Sequence, residues 1–139
     1  MAIRESSAVW QGSSREGKGS MRLGSGAYEG EYTHASRFED APGTNPEELI
    51  GAAHAGCFSM FLASVLSKAG HVPTRITTSA KVHLGAGAKI TLIELSTIGE
   101  VPGIDEQAFL EFAEQAKKGC PVSQALAAVE ISLTARLAK

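Results

Sequence analysis

Residues 45–70, NPEELIGAAHAGCFSMFLASVLSKAG, decide the fold, because they are predicted to form one long helix. Asn45 is a favoured N-cap residue, Pro46 suits the first helical position, and two glutamates occupy the first turn. We expect the helix to end near Lys68, because Gly70 is suited to the left-handed conformation that terminates many helices.

The predicted helix is apolar on nearly every side after its first turn, a pattern that indicates a helix buried in a core. Small residues recur in it at spacings of about four, which allows another backbone to approach closely; they are Gly51, Ala52, Ala55 and Gly56. A glycine inside a helix costs up to about 1 kcal/mol relative to alanine, so two of them indicate a reason in packing.

Strands are predicted on both sides of the helix from turn residues and from the alternation of apolar and polar side chains. The stretch between the first strands and the helix, residues 36–44, is rich in turn formers and is predicted to be a loop. Strands are expected in three places: short antiparallel strands within residues 1–35, a hairpin over residues 74–85 and 89–101, and a last strand over residues 129–137.

Two shorter helices are predicted after the hairpin. One is capped by Asp105 and ends at Gly119, and a short one begins at Pro121, directly after Cys120, and runs through Leu126. The elements together predict the α+β class, with antiparallel sheets around a long central buried helix. The length of the chain predicts a single domain over residues 1–139.

The composition predicts a small globular protein of the cytoplasm. The chain is 43% hydrophobic and 20% charged, and its net charge of -2 argues against a nucleic-acid partner and against a membrane surface. The N-terminal MAIRESSAVW lacks the basic and apolar regions of a secretory signal. The longest apolar stretch, residues 49–66, is interrupted by polar residues and is judged too polar for a confident membrane span.

Two cysteines, Cys57 and Cys120, stand without the C-x-x-C spacing of zinc or thioredoxin sites. They are either unrelated buried thiols or a redox pair. Cys57 lies in the middle of the predicted helix, where burial raises the pKa of a thiol. Cys120 lies at a helix N-terminus, which favours a thiolate, so the local sequence makes Cys120 the more acidic of the two.

Three further residues have chemistry that the sequence alone leaves open. His54 precedes Cys57 by three positions and lies on the same helix face. It is either a structural histidine or a base for the thiol. Arg37 and Glu47 flank the loop before the helix, and taken singly each is interpreted as a solvated charge. The apolar residues beside Cys57 either select an organic substrate or belong to the core; they are Phe58, Met60 and Phe61.

Three segments together resemble the OsmC family of peroxidases over essentially the whole chain. Residues 43–60, GTNPEELIGAAHAGCFSM, resemble the first-cysteine motif of the family. Residues 36–39, SRFE, resemble its arginine loop, and residues 119–123, GCPVS, resemble its second-cysteine motif. Ala53 and His54 stand where the related organic-hydroperoxide-resistance branch usually has glycine and tyrosine, which favours the OsmC branch proper.

The resemblance implies a thiol peroxidase that reduces organic hydroperoxides and hydrogen peroxide and protects against oxidative or osmotic stress. It implies that Cys57 is the peroxidatic cysteine and Cys120 the resolving one, with a Cys57–Cys120 disulfide as the oxidised product. Arg37 matches the arginine that activates the thiol, and Glu47 matches the acid that orients that arginine. The resemblance also implies an intertwined homodimer without haem, metal or flavin, recycled by an external dithiol such as a lipoylated protein.

Helix geometry adds the prediction that the active site is built from two chains. Glu47 and Cys57 are ten residues apart on one predicted helix, which is about 15 Å of rise. Two antiparallel copies that cross near Ala52 would bring Glu47 of one chain beside Cys57 of the other. From their proximity in the sequence, we expect Arg37 and Glu47 to come from one chain.

Two alternatives belong to other functional classes. One is a non-enzymatic stress protein that binds an apolar ligand and carries incidental thiols. The other is a cysteine hydrolase that uses Cys57 as nucleophile and His54 as base.

Overall fold

The computed structural model describes residues 1–138, and Lys139 lies outside the described residues. The described chain contains four helices and six strands, which confirms the predicted α+β class. It divides into two compact units, the first over Met1–Leu49 and the second from Ile50 onward. The single domain over residues 1–139 stays a prediction.

The first unit contains the short antiparallel strands that the sequence predicts. They form one sheet in the order β1-β2-β3, and Gly19 of the central strand lies between Trp10 and Tyr32 of its two neighbours. The three strands are β1 (Ser6–Gln11), β2 (Lys18–Leu23) and β3 (Glu29–Tyr32).

A short helix, α1 (His34–Phe38), occupies part of the segment that was predicted to be a loop. Thr33 and Ser36 form a capping box, in which the backbone N–H of each residue donates to the side-chain oxygen of the other, at 2.8 and 3.1 Å. The hydroxyl of Ser36 also donates to the carbonyl oxygen of Thr44 at 2.8 Å. These bonds fix the helix that carries Arg37.

The long helix, α2 (Pro46–Lys68), begins and ends where the sequence predicts. The side-chain oxygen of Asn45 accepts a hydrogen bond from the backbone N–H of Glu48 at 2.8 Å, as an N-cap residue does. At the other end Gly70 has a φ of 90°, and its N–H donates to the carbonyl oxygen of Ser67 at 3.0 Å. This is the expected glycine termination.

One face of α2 is buried, and the opposite face is exposed in the single chain. The fully buried side chains are His54, Phe58, Leu62 and Leu66. The residues of the opposite side, which we call the exposed face of α2, are Ala52, Ala53, Gly56 and Met60. Met60 is 79% exposed, so the prediction of a helix buried all round is correct for one face only.

The hydropathy of α2 is higher than its polar interruptions suggested. An 18-residue window reaches a mean hydropathy of 1.8, and only 28% of that window is buried. By length and composition alone the helix is able to cross a membrane, contrary to the judgement that the segment is too polar. The core helix of a soluble protein passes the same test, so a single such helix is weak support for a membrane span.

The second unit holds a three-stranded sheet in the order β4-β5-β6. The β4–β5 hairpin is antiparallel as predicted, but β6 pairs with β5 in the parallel direction, which corrects the expectation of antiparallel sheets throughout. Two helices connect β5 to β6, and such a crossover is what a parallel pair requires. The elements are β4 (Arg75–Gly85), β5 (Lys89–Glu100), α3 (Glu106–Gly119), α4 (Pro121–Ala125) and β6 (Glu130–Leu137).

The core of the second unit lies among α2, the sheet and α3. Phe58 of α2, Ile93 of β5 and Phe109 of α3 are fully buried members of one apolar cluster. Gly99 of β5 faces the Phe109 ring so closely that a Cβ there would overlap it. This packing places the buried face of α2 against the rest of the unit.

Candidate active site

The two cysteines meet although 63 positions separate them in the sequence. Their sulfur atoms lie 2.8 Å apart, and the Cys120 thiol donates to the Cys57 sulfur. Cys120 is fully buried, whereas Cys57 is half-buried. Cys57 is therefore the sulfur that a small molecule can reach first, and Cys120 stands directly behind it.

The cysteine contact belongs to a register of three contacts between α2 and residues 119–123. Positions rise along α2 while they fall along the other segment, so the two segments run antiparallel. The three pairs are His54 with Ser123, Cys57 with Cys120, and Phe61 with Gly119. The last pair is so close that a Cβ added to Gly119 would come within 2.7 Å of the Phe61 ring.

The surroundings of Cys57 in this unit favour the neutral thiol. Burial raises the pKa of the Cys57 thiol above its ordinary value of 9.0, and the hydrogen bond with Cys120 raises it further. The backbone N–H of Val122 donates to the sulfur and lowers the pKa in part. A reactive thiolate therefore needs a cation that these neighbours do not supply.

The first turn of α4 lies beside both cysteines. Cys120 is the N-cap residue of α4, but its side chain makes no capping hydrogen bond. The N–H of Val122 hydrogen-bonds the Cys57 sulfur instead. That Cys120 is the more acidic of the two thiols stays a prediction, and a backbone donor from this turn serves Cys57.

Arg37 and Glu47 form a bidentate ion pair within one chain, as their proximity in the sequence predicted. Nε and Nη2 of Arg37 donate to Oε1 and Oε2 of Glu47, each at 2.9 Å. The Glu47 side chain is 7% exposed and the Arg37 side chain 35%, so the carboxylate is buried behind an accessible guanidinium. The hydrogen bond to Glu47 raises the pKa of Arg37, which keeps the cation fully charged.

An aromatic cleft of about 500 Å³ adjoins Arg37 in the first unit. The Trp10 and Tyr32 rings lie 5.2 Å apart between centroids, and the Arg37 guanidinium lies 5.4 Å from the Phe38 ring. No sequence pattern singled out these aromatic residues, although Phe38 adjoins the arginine. The cleft is lined by Trp10, Ser14, Tyr32, Thr33, His34, Arg37 and Phe38.

The apolar residues next to Cys57 have three different settings. Phe58 is fully buried and belongs to the core, Met60 is exposed, and the Phe61 ring packs on Gly119.

Among residues 1–138, no three His, Cys, Asp or Glu side chains lie close enough together to hold a metal ion.

His54 is a buried histidine that contacts Ser123. Its Nε2 lies 2.7 Å from the Ser123 hydroxyl oxygen, whereas its Nδ1 has no hydrogen-bond partner among residues 1–138. Burial lowers the pKa of His54, so the ring is neutral at pH 7. Its hydrogen bond goes to Ser123 and leaves the Cys57 sulfur without the imidazole partner that the hydrolase alternative requires.

We expect the variant His54→Gln to lose part of the pH dependence of stability. In the unfolded chain the His54 pKa returns to about 6.5, so below that pH the unfolded state binds the proton more strongly and the folded state loses stability. Urea unfolding at about pH 7.5 and pH 5.5 should show a smaller decrease in the variant than in the parent. The other histidines are present in both proteins, so an equal decrease would contradict the burial of a neutral His54.

The chain is similar to known proteins in sequence and in fold. Residues 38–134 match the family of OsmC-like proteins. Peroxiredoxin OsmC of Escherichia coli (strain K12) and its counterpart in Shigella flexneri are each 48% identical over 138 residues, which covers 96% of both chains. The crystal structure of an OsmC-like protein from Mycoplasma pneumoniae superposes with a TM-score of 0.77 at 14% identity, over 99% of each chain.

Proposed function

Because this chain belongs to the OsmC family and is a thiol peroxidase, we propose that it reduces organic hydroperoxides, and hydrogen peroxide, through a Cys57–Cys120 disulfide. The observation that carries the proposal is the 2.8 Å separation of the two sulfurs, in which Cys57 is half-buried and Cys120 is buried. Protection against oxidative stress follows from the removal of peroxide.

The proposed cycle has three steps. The Cys57 thiolate attacks the peroxide, the O–O bond breaks, and the alkoxide leaves as an alcohol after taking a proton, so that Cys57 becomes a sulfenic acid. The Cys120 thiol then attacks that sulfur, the S–S bond forms and water leaves. An external dithiol reduces the disulfide to two thiols and is itself oxidised to a disulfide.

Arg37 is proposed to supply the charge that the first step needs. The neighbours of Cys57 in the second unit leave its pKa raised, so a fixed cation is required for a thiolate at neutral pH. The resemblance to the family assigns this role to Arg37, and Glu47 holds its guanidinium by two hydrogen bonds. Nη1 has no partner among residues 1–138 and is available to an oxygen of the departing alkoxide.

The aromatic cleft supports an organic substrate. Rings that flank the guanidinium provide apolar surface for the carbon skeleton of a hydroperoxide, while the cation attracts its oxygens. Hydrogen peroxide has no apolar part and gains nothing from such a surface. A larger kcat/KM for cumene hydroperoxide than for hydrogen peroxide is the expected sign of this contact.

We propose that the cycle uses no bound haem, metal or flavin, because the thiols themselves carry both electrons. The reductant is proposed to be an external dithiol of the lipoyl type. A reducing cytoplasm suits such a cycle, because the disulfide is then transient.

We propose that the exposed face of α2 binds the same face of a second chain. The face is apolar and its residues other than Met60 are small, which suits the crossing of two helices at close distance. A twofold dimer buries such a face against itself. Ten residues of helix separate Glu47 from Cys57, so the dimer would combine the acid of one chain with the thiol of the other.

Complementation tests the two-chain site. The variant Cys57→Ser and the double variant Arg37→Ala/Glu47→Ala should each be inactive, and a mixture in which subunits exchange should recover a substantial fraction of the parent activity. Each mixed dimer then has one centre with all the required groups. If every mixture stays inactive although mass spectrometry detects mixed dimers, the site lies within one chain.

Thiol titration tests the proposed function itself. One equivalent of cumene hydroperoxide should remove both thiols of each chain and leave an intramolecular Cys57–Cys120 bridge. A ligand-binding protein would keep both thiols, and a hydrolase would form no disulfide. Either of those results would overturn the peroxidase proposal.

A further inference from the structure

A polar contact lies one helical turn from the sulfurs, between the same two segments. The imidazole of His54 and the hydroxyl of Ser123 are 2.7 Å apart, and the two residues are 0% and 4% exposed. His54 precedes Cys57 by three positions, and Ser123 follows Cys120 by three. The contact therefore fixes the register in which the two cysteines face each other.

We propose that the His54–Ser123 hydrogen bond is a positioning contact that holds Cys120 against Cys57 after Cys57 has been oxidised. The pair thereby sets the fraction of Cys57 that escapes into the sulfinic acid. The inference rests on the proposed thiol peroxidase cycle and assigns the pair a role in its second step only.

The segment that carries Cys120 has few other hydrogen bonds to α2, and its further contact in the register is the packing of the Phe61 ring on Gly119. The helix α4 has five residues, its N-cap side chain makes no capping bond, and the side-chain amide of Gln124 donates to Gly119 within the same segment. Among residues 1–138, the other hydrogen bonds from residues 119–126 to α2 end on the Cys57 sulfur. Those bonds change when that sulfur gains an oxygen, whereas the His54–Ser123 bond contains no atom that reacts.

Burial makes the contact expensive to open. Nδ1 of His54 already lacks a partner, and a bare acceptor is tolerated inside a protein more readily than an orphan N–H group. The proton is therefore assigned to Nε2, which donates to the Ser123 oxygen. If the bond opened without admitting water, both ring nitrogens would be buried without a partner, which is strongly unfavourable.

Two reactions compete for the sulfenic acid. Attack by the Cys120 thiol forms the S–S bond and releases water. Attack on a second hydroperoxide breaks another O–O bond, releases a second alcohol and leaves Cys57 as a sulfinic acid, which a dithiol does not reduce. If Cys120 is held less firmly, only the formation of the disulfide becomes slower. The yield of sulfinic acid then increases, while the rate of the initial attack of Cys57 on peroxide is unchanged.

The experiment compares Ser123→Ala with the parent during turnover with cumene hydroperoxide and a dithiol reductant. We expect the sulfinic acid formed per turnover, measured by mass spectrometry, to rise about tenfold, and the rate constant of the first attack to change less than about twofold. His54→Leu should have the same effect, and His54→Gln, which keeps an N–H within reach, should restore the parent value. The double variant His54→Leu/Ser123→Ala should be no worse than either single variant, because the bond is lost only once.

Ser59→Ala is the matched control. The hydroxyl of Ser59, also on α2, donates to the Thr78 hydroxyl of β4 at 2.7 Å, so among residues 1–138 its hydrogen bond goes to the sheet and not to α4. Its loss should leave the sulfinic acid yield at the parent value. A comparable rise in this variant would mean that loosening α2 anywhere has the effect, and it would overturn the inference.

The outcomes separate the inference from the function on which it rests. A parent protein that consumes no peroxide overturns the proposed function. A parent that turns over, with Ser123→Ala and His54→Leu at the same sulfinic acid yield, overturns the positioning role alone. Additive effects in the double variant, or an equal slowing of the first attack, would also overturn it, because either result indicates general structural damage.

Discussion

Replacing Cys57 with serine is expected to abolish peroxide consumption. The half-buried Cys57 is the sulfur that a peroxide reaches, and a serine hydroxyl does not act as a nucleophile towards the O–O bond under these conditions. Cys120→Ser should behave differently. It should complete one turnover and then accumulate Cys57 in over-oxidised forms, because no thiol remains to capture the sulfenic acid.

The comparison of the two variants assigns the two roles. Mass spectrometry after exposure to cumene hydroperoxide should find sulfinic acid on Cys57 in Cys120→Ser and no oxidation of Cys120 in Cys57→Ser. The complete burial of Cys120 is the physical reason for the second expectation. Sulfinic acid on Cys120 in Cys57→Ser would reverse the assignment.

Replacing Arg37 with methionine should slow the first attack by orders of magnitude at neutral pH. Burial and Cys120 raise the pKa of Cys57, so without the cation the thiolate fraction at pH 7 becomes very small. The thiolate is the deprotonated form, so the rate should increase with pH, and the rising limb of the pH–rate profile should move to higher pH in the variant. Stopped-flow measurement of the first oxidation across the pH range gives both quantities.

Two further variants define what Arg37 contributes. Arg37→Lys keeps the charge but loses the two-pronged bond to Glu47, so its rate should lie between those of the parent and Arg37→Met. Arg22→Met is the control, because Arg22 forms an exposed pair with Glu29 at 3.8 Å in the same unit and should leave the rate unchanged. An unaltered pH–rate profile in Arg37→Met would remove the arginine from the mechanism.

The sequence predicts those elements whose signals are local. The ends of α2 follow from Asn45 and Gly70, and the β4–β5 hairpin follows from its alternating pattern and glycine turn. The direction of β6 could not be predicted in this way. Alternation shows that a strand has two faces, but it does not show whether the neighbouring strand runs parallel or antiparallel. The short helix α1 was missed because Thr33 was assigned to the strand region over residues 1–35 and Ser36 to the loop over residues 36–44, which separated the two halves of its capping box.

The candidate site shows the same division between local and distant signals. Motif resemblance selected the residues of the ion pair and both cysteines without any geometry. The sequence did not predict that the N–H of Val122 donates to the Cys57 sulfur, or that His54 contacts a serine 69 positions away. Both contacts depend on how the crossover from β5 to β6 returns across α2, and no local pattern encodes that path.

The parallel pairing of β6 has a consequence during synthesis. Cys120 lies on the crossover that leads to this strand, 63 residues after Cys57. At about 5–20 residues per second, the ribosome delivers Cys120 roughly 3–13 s after Cys57. For that interval each nascent chain carries Cys57 without Cys120, so a Cys57 that is oxidised then has no thiol of its own chain to capture the sulfenic acid.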